Sequence, residues 1–169
     1  MQTYSHAAIG AALGALVFPD NASAQATCIA ASVAVDFPMA YQYAQDNFHS
    51  RQPLMHPSCG VLEVNEASHS LPLWLLLGLC SLFLPDMFKW TAIGGMAHVI
   101  IDVLTHGKGK REQRPFWLTD VTFMWPLPLD LRLLGVWEYR YGHGILRPKP
   151  LELLVLLISA ATTLCLWFQ

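Results

Sequence analysis

Residues 151–168, which read LELLVLLISAATTLCLWF, are apolar almost throughout and indicate the fold class of the chain. A second run, LPLWLLLGLCSLFLP at 71–85, contains no charged residue. A helix needs about 20 mostly apolar residues to cross the hydrocarbon core of a bilayer. The first run approaches that length, and the second becomes long enough when the segment from Ala67 is added. Both runs are therefore predicted to be membrane helices.

The composition of the whole chain agrees with this interpretation. Of 169 residues, 54% are hydrophobic and only 13% are charged, whereas soluble domains carry about 25% charged residues. The net charge is −2, and no basic stripe with interleaved aromatic residues is present, so a nucleic-acid partner is not expected. The length suits one domain, residues 1–169.

Three further segments are apolar but interrupted, at 5–18, 24–44 and 90–106. In the first of these, Gly10 and Gly14 lie four residues apart, a spacing that lets helix backbones approach closely in a membrane. No Lys or Arg precedes this segment, so we expect a retained helix rather than a cleaved signal. Together with the two apolar runs, these segments predict an all-α, polytopic membrane bundle of about five helices.

The connections between these helices predict the orientation of the chain. Residues 46–66 are polar and contain prolines, which is typical of a loop. Residues 107–150 form a long basic loop before the last helix and hold eight of the ten Lys and Arg residues. Because positive loops stay in the cytoplasm, we expect a multi-pass membrane protein with this loop on the cytoplasmic side. The turns at Asp20 and Asp86 then face the opposite side.

Three ionisable residues share one face of the fourth predicted helix. His98, Asp102 and His106 are spaced four residues apart, which places their side chains above one another. Ionisable groups within a membrane span are costly and therefore mark functional sites by default. Imidazole nitrogens and carboxylate oxygens are also the ligands that zinc prefers, at about 2.0–2.2 Å.

Other helices supply further candidates at a similar depth. Asp36 and His98 each lie eight residues from the cytoplasmic end of their helix, about 12 Å at 1.5 Å per residue. His6 and His69 lie near the same cytoplasmic edge. The predicted metal ligands are His6, Asp36, His69, His98 and Asp102, and the catalytic base is Glu66 or His106. We expect a divalent cation, zinc first, with manganese or magnesium as alternatives.

A purely structural interpretation of these residues is the main alternative. A single histidine in an apolar helix is more often a hydrogen-bonded core residue than a ligand, and Asp36 could cap a helix or pair with an Arg. However, the predicted spans contain no Arg and no Lys to neutralise Asp36 and Asp102. Several such groups at one depth favour a metal site.

The block GGMAHVIIDVLTHGKGK at 94–110, followed by FMWPLPLD at 123–130, resembles the YdjM-type family of inner-membrane, metal-dependent hydrolases. Some members of that family are described as LexA-regulated. The resemblance continues with an early histidine, an acid in the second apolar stretch and a Thr-His-Ser element. These correspond to His6 in Ser-His-Ala, Asp36 in Val-Asp-Phe-Pro, and Ser68-His69-Ser70; the last element corresponds to His98, Asp102 and Thr105-His106.

This chain departs from the family pattern at two places. Val35 stands where a proline usually precedes the acid, and Asn65-Glu66-Ala67 replaces the Arg-Gly that often precedes Thr-His-Ser. The second departure leaves any substrate-phosphate role of that Arg without support here. The resemblance implies hydrolysis, and the expected substrate is a lipid or lipid-linked ester or phosphoester near the cytoplasmic leaflet.

Two other classes of function remain open at this point. A metal permease or sensor would bind the cation without hydrolysis, and a structural membrane protein would use its polar groups only to join helices. Membrane lipid is the expected partner in each case, and the sequence indicates no protein partner.

Overall fold

The computed structural model describes residues 3–41, 44, 59–105, 123–127 and 150–167. Within these residues the chain is helical and contains no strand, so the predicted all-α class is confirmed. The helices are α1 (Thr3–Val17), α2 (Ala22–Ala34), α3 (Cys59–Ser68), α4 (Leu71–Cys80), α5 (Asp86–Thr105) and α6 (Pro150–Trp167). Residues 37–41 add a short helical segment after α2.

The α1–α2 hairpin is closed by side chains that satisfy helix ends. Asn21 caps α2, because its side-chain oxygen accepts a hydrogen bond from the Ala24 N–H at 3.0 Å. The Gln25 amide donates to the carbonyls of Phe18 (2.9 Å) and Pro19 (3.0 Å), beyond the end of α1. Asn at this position is among the most favourable N-caps. The turn therefore sends α2 back along α1.

Glycines allow α1, α2 and α5 to pack closely. A Cβ atom on Gly10 would lie 3.1 Å from the Cys28 carbonyl oxygen, and one on Gly14 would lie 3.0 Å from the Gln25 Cα. A Cβ on Gly94 would lie 2.9 Å from the Cys28 Cα. Such distances leave no room for a side chain, so the close approach predicted from the Gly10–Gly14 spacing is confirmed.

Two of the predicted helices are broken at the residues that were predicted to bind metal. The segment at 24–44 stops at Ala34, turns at residues 35 and 36, and becomes helical again at residues 37–41. The chain breaks a second time between α3 and α4, where Ser70 caps α4 by accepting from the Leu73 N–H at 3.3 Å. Ser70 therefore closes the head of α4.

The prediction of a loop at 46–66 is wrong for residues 59–66, which belong to α3. The prolines that indicated a loop, Pro53 and Pro57, lie before this helix rather than within it. A proline is tolerated ahead of a helix and in its first turn, but not in its interior. The five predicted helices therefore become at least six in the part of the chain that the structure describes.

One described helix is long and apolar enough to cross a membrane, the segment Asp86–Leu104 of α5 with 19 residues. Helices α1, α2 and α4 and the stretch Leu153–Leu166 are apolar but shorter. At 1.5 Å per residue, the ten residues of α4 extend about 15 Å, half of a hydrocarbon core of about 30 Å. The multi-pass arrangement therefore remains a prediction.

Most of the predicted basic loop at 107–150 lies outside the described residues, but its segment 123–127 packs against the start of α4. The Phe123 carbonyl accepts a hydrogen bond from the Leu71 N–H at 2.9 Å, and the Ser70 hydroxyl donates to the Trp125 carbonyl. Phe123 is buried beside Val35, Val99 and other apolar residues. This part of the predicted loop covers one end of the bundle.

Candidate metal centre

Five of the predicted site residues meet at one end of the bundle. They come from the start of α1 (His6), the break after α2 (Asp36), the break before α4 (His69) and the second half of α5 (His98 and Asp102). Because α1 and α2 run in opposite directions, as do α4 and α5, these four positions fall at the same end. The exposed Asp20 and Asp86 occupy the opposite turns. The structure thus brings these His and Asp side chains within metal-binding distance, whereas their depth in a membrane stays a prediction.

The ligand atoms are spaced as they would be around a metal ion. Asp102 Oδ1 lies 3.1 Å from His6 Nε2, and Asp102 Oδ2 lies 3.2 Å from His98 Nε2. His69 Nε2 lies 3.5 Å from Asp36 Oδ1 and 3.8 Å from Asp102 Oδ2, and His98 Nε2 lies 3.6 Å from Asp36 Oδ1. Ligands about 2.1 Å from a tetrahedral ion lie about 3.4 Å from one another. The observed distances between nitrogen and oxygen atoms, 3.1–3.8 Å, lie on both sides of that value.

Backbone carbonyls fix the orientation of two of the imidazole rings. His98 Nδ1 lies 2.6 Å from the Ser32 carbonyl oxygen, and His69 Nδ1 lies 2.8 Å from the Asn65 carbonyl oxygen. A carbonyl only accepts hydrogen bonds, so each Nδ1 must carry the proton. In the neutral rings, Nε2 then presents a lone pair to the centre of the cluster. Metal-binding histidines are usually held in this way by their second nitrogen.

Several of the converging atoms are buried and make no hydrogen bond of good geometry. Within the described residues these are both ring nitrogens of His6 and the Nε2 of His98, on side chains that are about 1% exposed or less, although Asp102 oxygens lie 3.1 Å and 3.2 Å from the two Nε2 atoms. A buried polar atom without a partner costs about 1–3 kcal/mol. The only Lys or Arg in the described part of the chain is Lys89, which pairs with Asp86 at 2.8 Å at the opposite end. A bound cation would accept the lone pairs of the ring nitrogens and would neutralise the negative charge of Asp36 and Asp102.

Three hydroxyl groups support the cluster, and the sequence did not assign this role to any of them. Thr3 Oγ1 donates to Asp36 Oδ2 at 2.7 Å, which leaves Asp36 Oδ1 turned towards the histidines. Ser32 Oγ donates to the His6 carbonyl at 3.0 Å. Ser68 Oγ donates to the Val35 carbonyl at 2.9 Å and thereby joins the two helix breaks. The one signal in the sequence for this role is that each hydroxyl lies within one helical turn of a His or Asp residue.

The surroundings of the cluster are apolar, with one more open side. Val35, Val99, Val103 and Phe123 form a buried group next to it, and the Phe123 ring contacts the His69 ring edge to face at 6.3 Å. A low-dielectric environment strengthens interactions between charges. The Asp36 side chain is 24% exposed, whereas the other four are 8% exposed or less. Asp36 therefore marks the side from which a ligand could enter.

The two predicted catalytic bases are not placed in the cluster. Glu66 lies on the last turn of α3 and is half-buried, but among the described residues it does not belong to either group within metal-binding distance. His106 lies outside the described residues. Both assignments remain predictions.

No family model, curated protein or solved structure matches this chain. The resemblance to the YdjM-type family therefore rests on the short motifs quoted above, and function has to be argued from the site itself.

Proposed function

We propose that this protein is a metal-dependent hydrolase of the inner membrane whose site holds a divalent cation near the cytoplasmic leaflet. The observation that carries the proposal is the convergence of His69 Nε2 and His98 Nε2 on two carboxylates, with both rings held by backbone carbonyls. Zinc suits this mixture of imidazole and carboxylate ligands, and manganese is the first alternative.

A divalent cation in such a site supplies Lewis-acid chemistry, which polarises a carbonyl or phosphoryl oxygen and makes water a better nucleophile at neutral pH. The residues of the chain would hold the cation, orient its ligands and limit the access of water. His69, His98, Asp36 and Asp102 would hold the cation, and Thr3 would keep Asp36 oriented through its hydrogen bond. The apolar residues around the cluster would limit access of bulk water.

Apolar surface on α4 and α6 supports a position in the membrane. No residue of α4 is buried, although the helix consists largely of leucine. Phe83, in the turn after α4, is 91% exposed. On α6, Leu153, Leu154, Leu157 and Ile158 are all exposed. Apolar patches of this kind rarely face water, and a site beside lipid suits an ester or phosphoester in the membrane.

The packing of the bundle favours hydrolysis over transport. A permease needs a polar path from the site to the opposite turns, but the contacts of α2 with α1 and α5 are filled by small residues. Ala24, Cys28 and Ala31 are buried there, and Gly10 and Gly94 bring the backbones into direct contact. Among the described residues, the contacts of α2 with α1 and α5 therefore leave little room for a cation to pass between these helices.

Metal content and turnover of detergent-purified protein test the proposal. Wild-type protein should contain bound zinc or manganese and should hydrolyse one member of a panel of carboxyl-ester, phosphodiester and phosphomonoester lipids. Both properties should be lost after chelation and in Asp102→Asn, which removes a ligand charge. The matched control is Asp86→Asn, which alters an exposed acid at the opposite end and should keep both.

Other results would favour the alternatives. Bound metal without turnover on the panel, together with cation uptake into proteoliposomes, would indicate a permease. Protein without stoichiometric metal would indicate that the histidines and acids only join helices.

A further inference from the structure

The His6 and His98 rings are stacked, with centroids 3.6 Å apart and planes inclined by 18°. A metal bound to an imidazole lies in the ring plane, about 2.0–2.1 Å beyond the nitrogen. Two nearly parallel rings at this separation direct their Nε2 lone pairs at two different points. One ion therefore cannot be bound with good geometry by both His6 and His98.

Asp102 presents one oxygen to each ring. Its Oδ1 lies 3.1 Å from His6 Nε2, and its Oδ2 lies 3.2 Å from His98 Nε2. A carboxylate whose two oxygens face two separate ligand positions has the geometry of a bridge between two ions. The two ring centroids lie 3.6 Å apart, and two-metal hydrolytic sites hold their ions about 3.5–4 Å apart.

The remaining ligands are distributed unequally between the two points. His69 Nε2 lies 3.5 Å from Asp36 Oδ1 and 3.8 Å from Asp102 Oδ2. His98 Nε2 lies 3.6 Å from Asp36 Oδ1 and 3.2 Å from Asp102 Oδ2, so at one position two imidazoles each face both carboxylates. The other position has His6 Nε2 and Asp102 Oδ1, both buried. It thus offers two protein ligands among the described residues and would need water or substrate for the rest.

We propose that the cluster binds two divalent cations bridged by Asp102, one held tightly by His69, His98, Asp36 and Asp102, and a second held more weakly by His6 and Asp102. This inference rests on the proposed metal site and extends it. The second ion would bind the Nε2 of His6, a side chain that is 1% exposed.

Manganese titration followed by electron paramagnetic resonance tests this inference on the intact wild-type protein. The first equivalent of Mn²⁺ should give the six-line signal of an isolated ion. The second equivalent should reduce that signal or convert it into the broad pattern of a spin-coupled pair, because ions about 3–4 Å apart and bridged by a carboxylate interact magnetically. Elemental analysis should find two ions per chain.

A variant separates the two positions. His6→Gln should keep one ion per chain and give only the six-line signal at any loading, whereas His69→Gln should weaken the tight position. If His6→Gln does not fold, the titration of wild-type protein still decides whether a second ion binds. One ion per chain without spin coupling would overturn the second position and leave the proposed function intact. No bound ion would overturn both.

Discussion

Thr3 is a small exposed residue with a large expected effect on metal affinity. Its hydroxyl donates to Asp36 Oδ2 at 2.7 Å and so fixes which oxygen faces the histidines. Loss of such a supporting hydrogen bond typically lowers metal affinity about 10- to 100-fold. We expect Thr3→Val to raise the Kd for zinc by a factor in this range, measured by competition with a chromophoric chelator, without a change in helix content.

Thr91→Val provides the matched control for that variant. Thr91 Oγ1 donates to the Met87 carbonyl at 2.8 Å within α5, away from the cluster. The same loss of a hydroxyl should leave the Kd unchanged there. Equal affinities for Thr3→Val and wild type would mean that Asp36 is positioned by other contacts.

The residues of the site differ in how easily the sequence reveals them. His98 and Asp102 stand out because charge and imidazole are rare in apolar helices, and their spacing places them on one face. Thr3, Ser32 and Ser68 do not stand out, because hydroxyl groups are common in helices and bond to local carbonyls in most of them. Their role depends on which helices meet, and a single sequence carries no signal for that.

The contact between α2 and α5 depends on the absence of a side chain at Gly94. A Cβ there would lie 2.9 Å from the Cys28 Cα and 3.0 Å from the Ala31 Cβ, and overpacking of this kind costs about 1–3 kcal/mol. We expect Gly94→Ala to lower the Tm by several degrees and to reduce metal content, because α5 carries His98 and Asp102. Thermal unfolding by circular dichroism and elemental analysis would measure both effects.

Gly78→Ala is the control for this prediction. A Cβ on Gly78 would meet the Met96 Cε at 3.7 Å and the Ala92 Cβ at 4.0 Å, which are ordinary contacts. Because alanine favours a helix over glycine by about 1 kcal/mol, the Tm should stay level or rise. A Tm for Gly94→Ala equal to that of Gly78→Ala would contradict the close packing.

At the level of elements, the apolar segments predicted where helices occur but not where they break. The turn at Val35-Asp36 interrupts a segment with no glycine, but Pro38 has no N–H to donate to the Ala34 carbonyl, at which α2 ends. The break at His69 also has a local cause, because Ser70 caps the next helix and Pro72 occupies its first turn. Both breaks leave backbone carbonyls without a helical partner. The Ser68 hydroxyl donates a hydrogen bond to one of them, the carbonyl of Val35.

Cysteine labelling tests how the whole molecule sits in the membrane. In a cysteine-free background, Thr3→Cys and Phe37→Cys introduce a thiol at the end that holds the metal cluster, and Asp20→Cys and Asp86→Cys at the opposite end. All four positions are exposed. An impermeant maleimide added to inverted vesicles should label the first pair, and the same reagent added to right-side-out vesicles should label the second pair. Labelling of all four from one side would contradict a bundle that crosses the membrane.

The ligands of the cluster come from helices that are far apart along the chain, and this has a consequence for folding. Ions held between α1, the break after α2, the break before α4 and α5 would act as cross-links, as disulfides do in small secreted domains. Binding energy of that kind becomes stability of the native state. Chelation would remove these cross-links and should lower the stability of the native state.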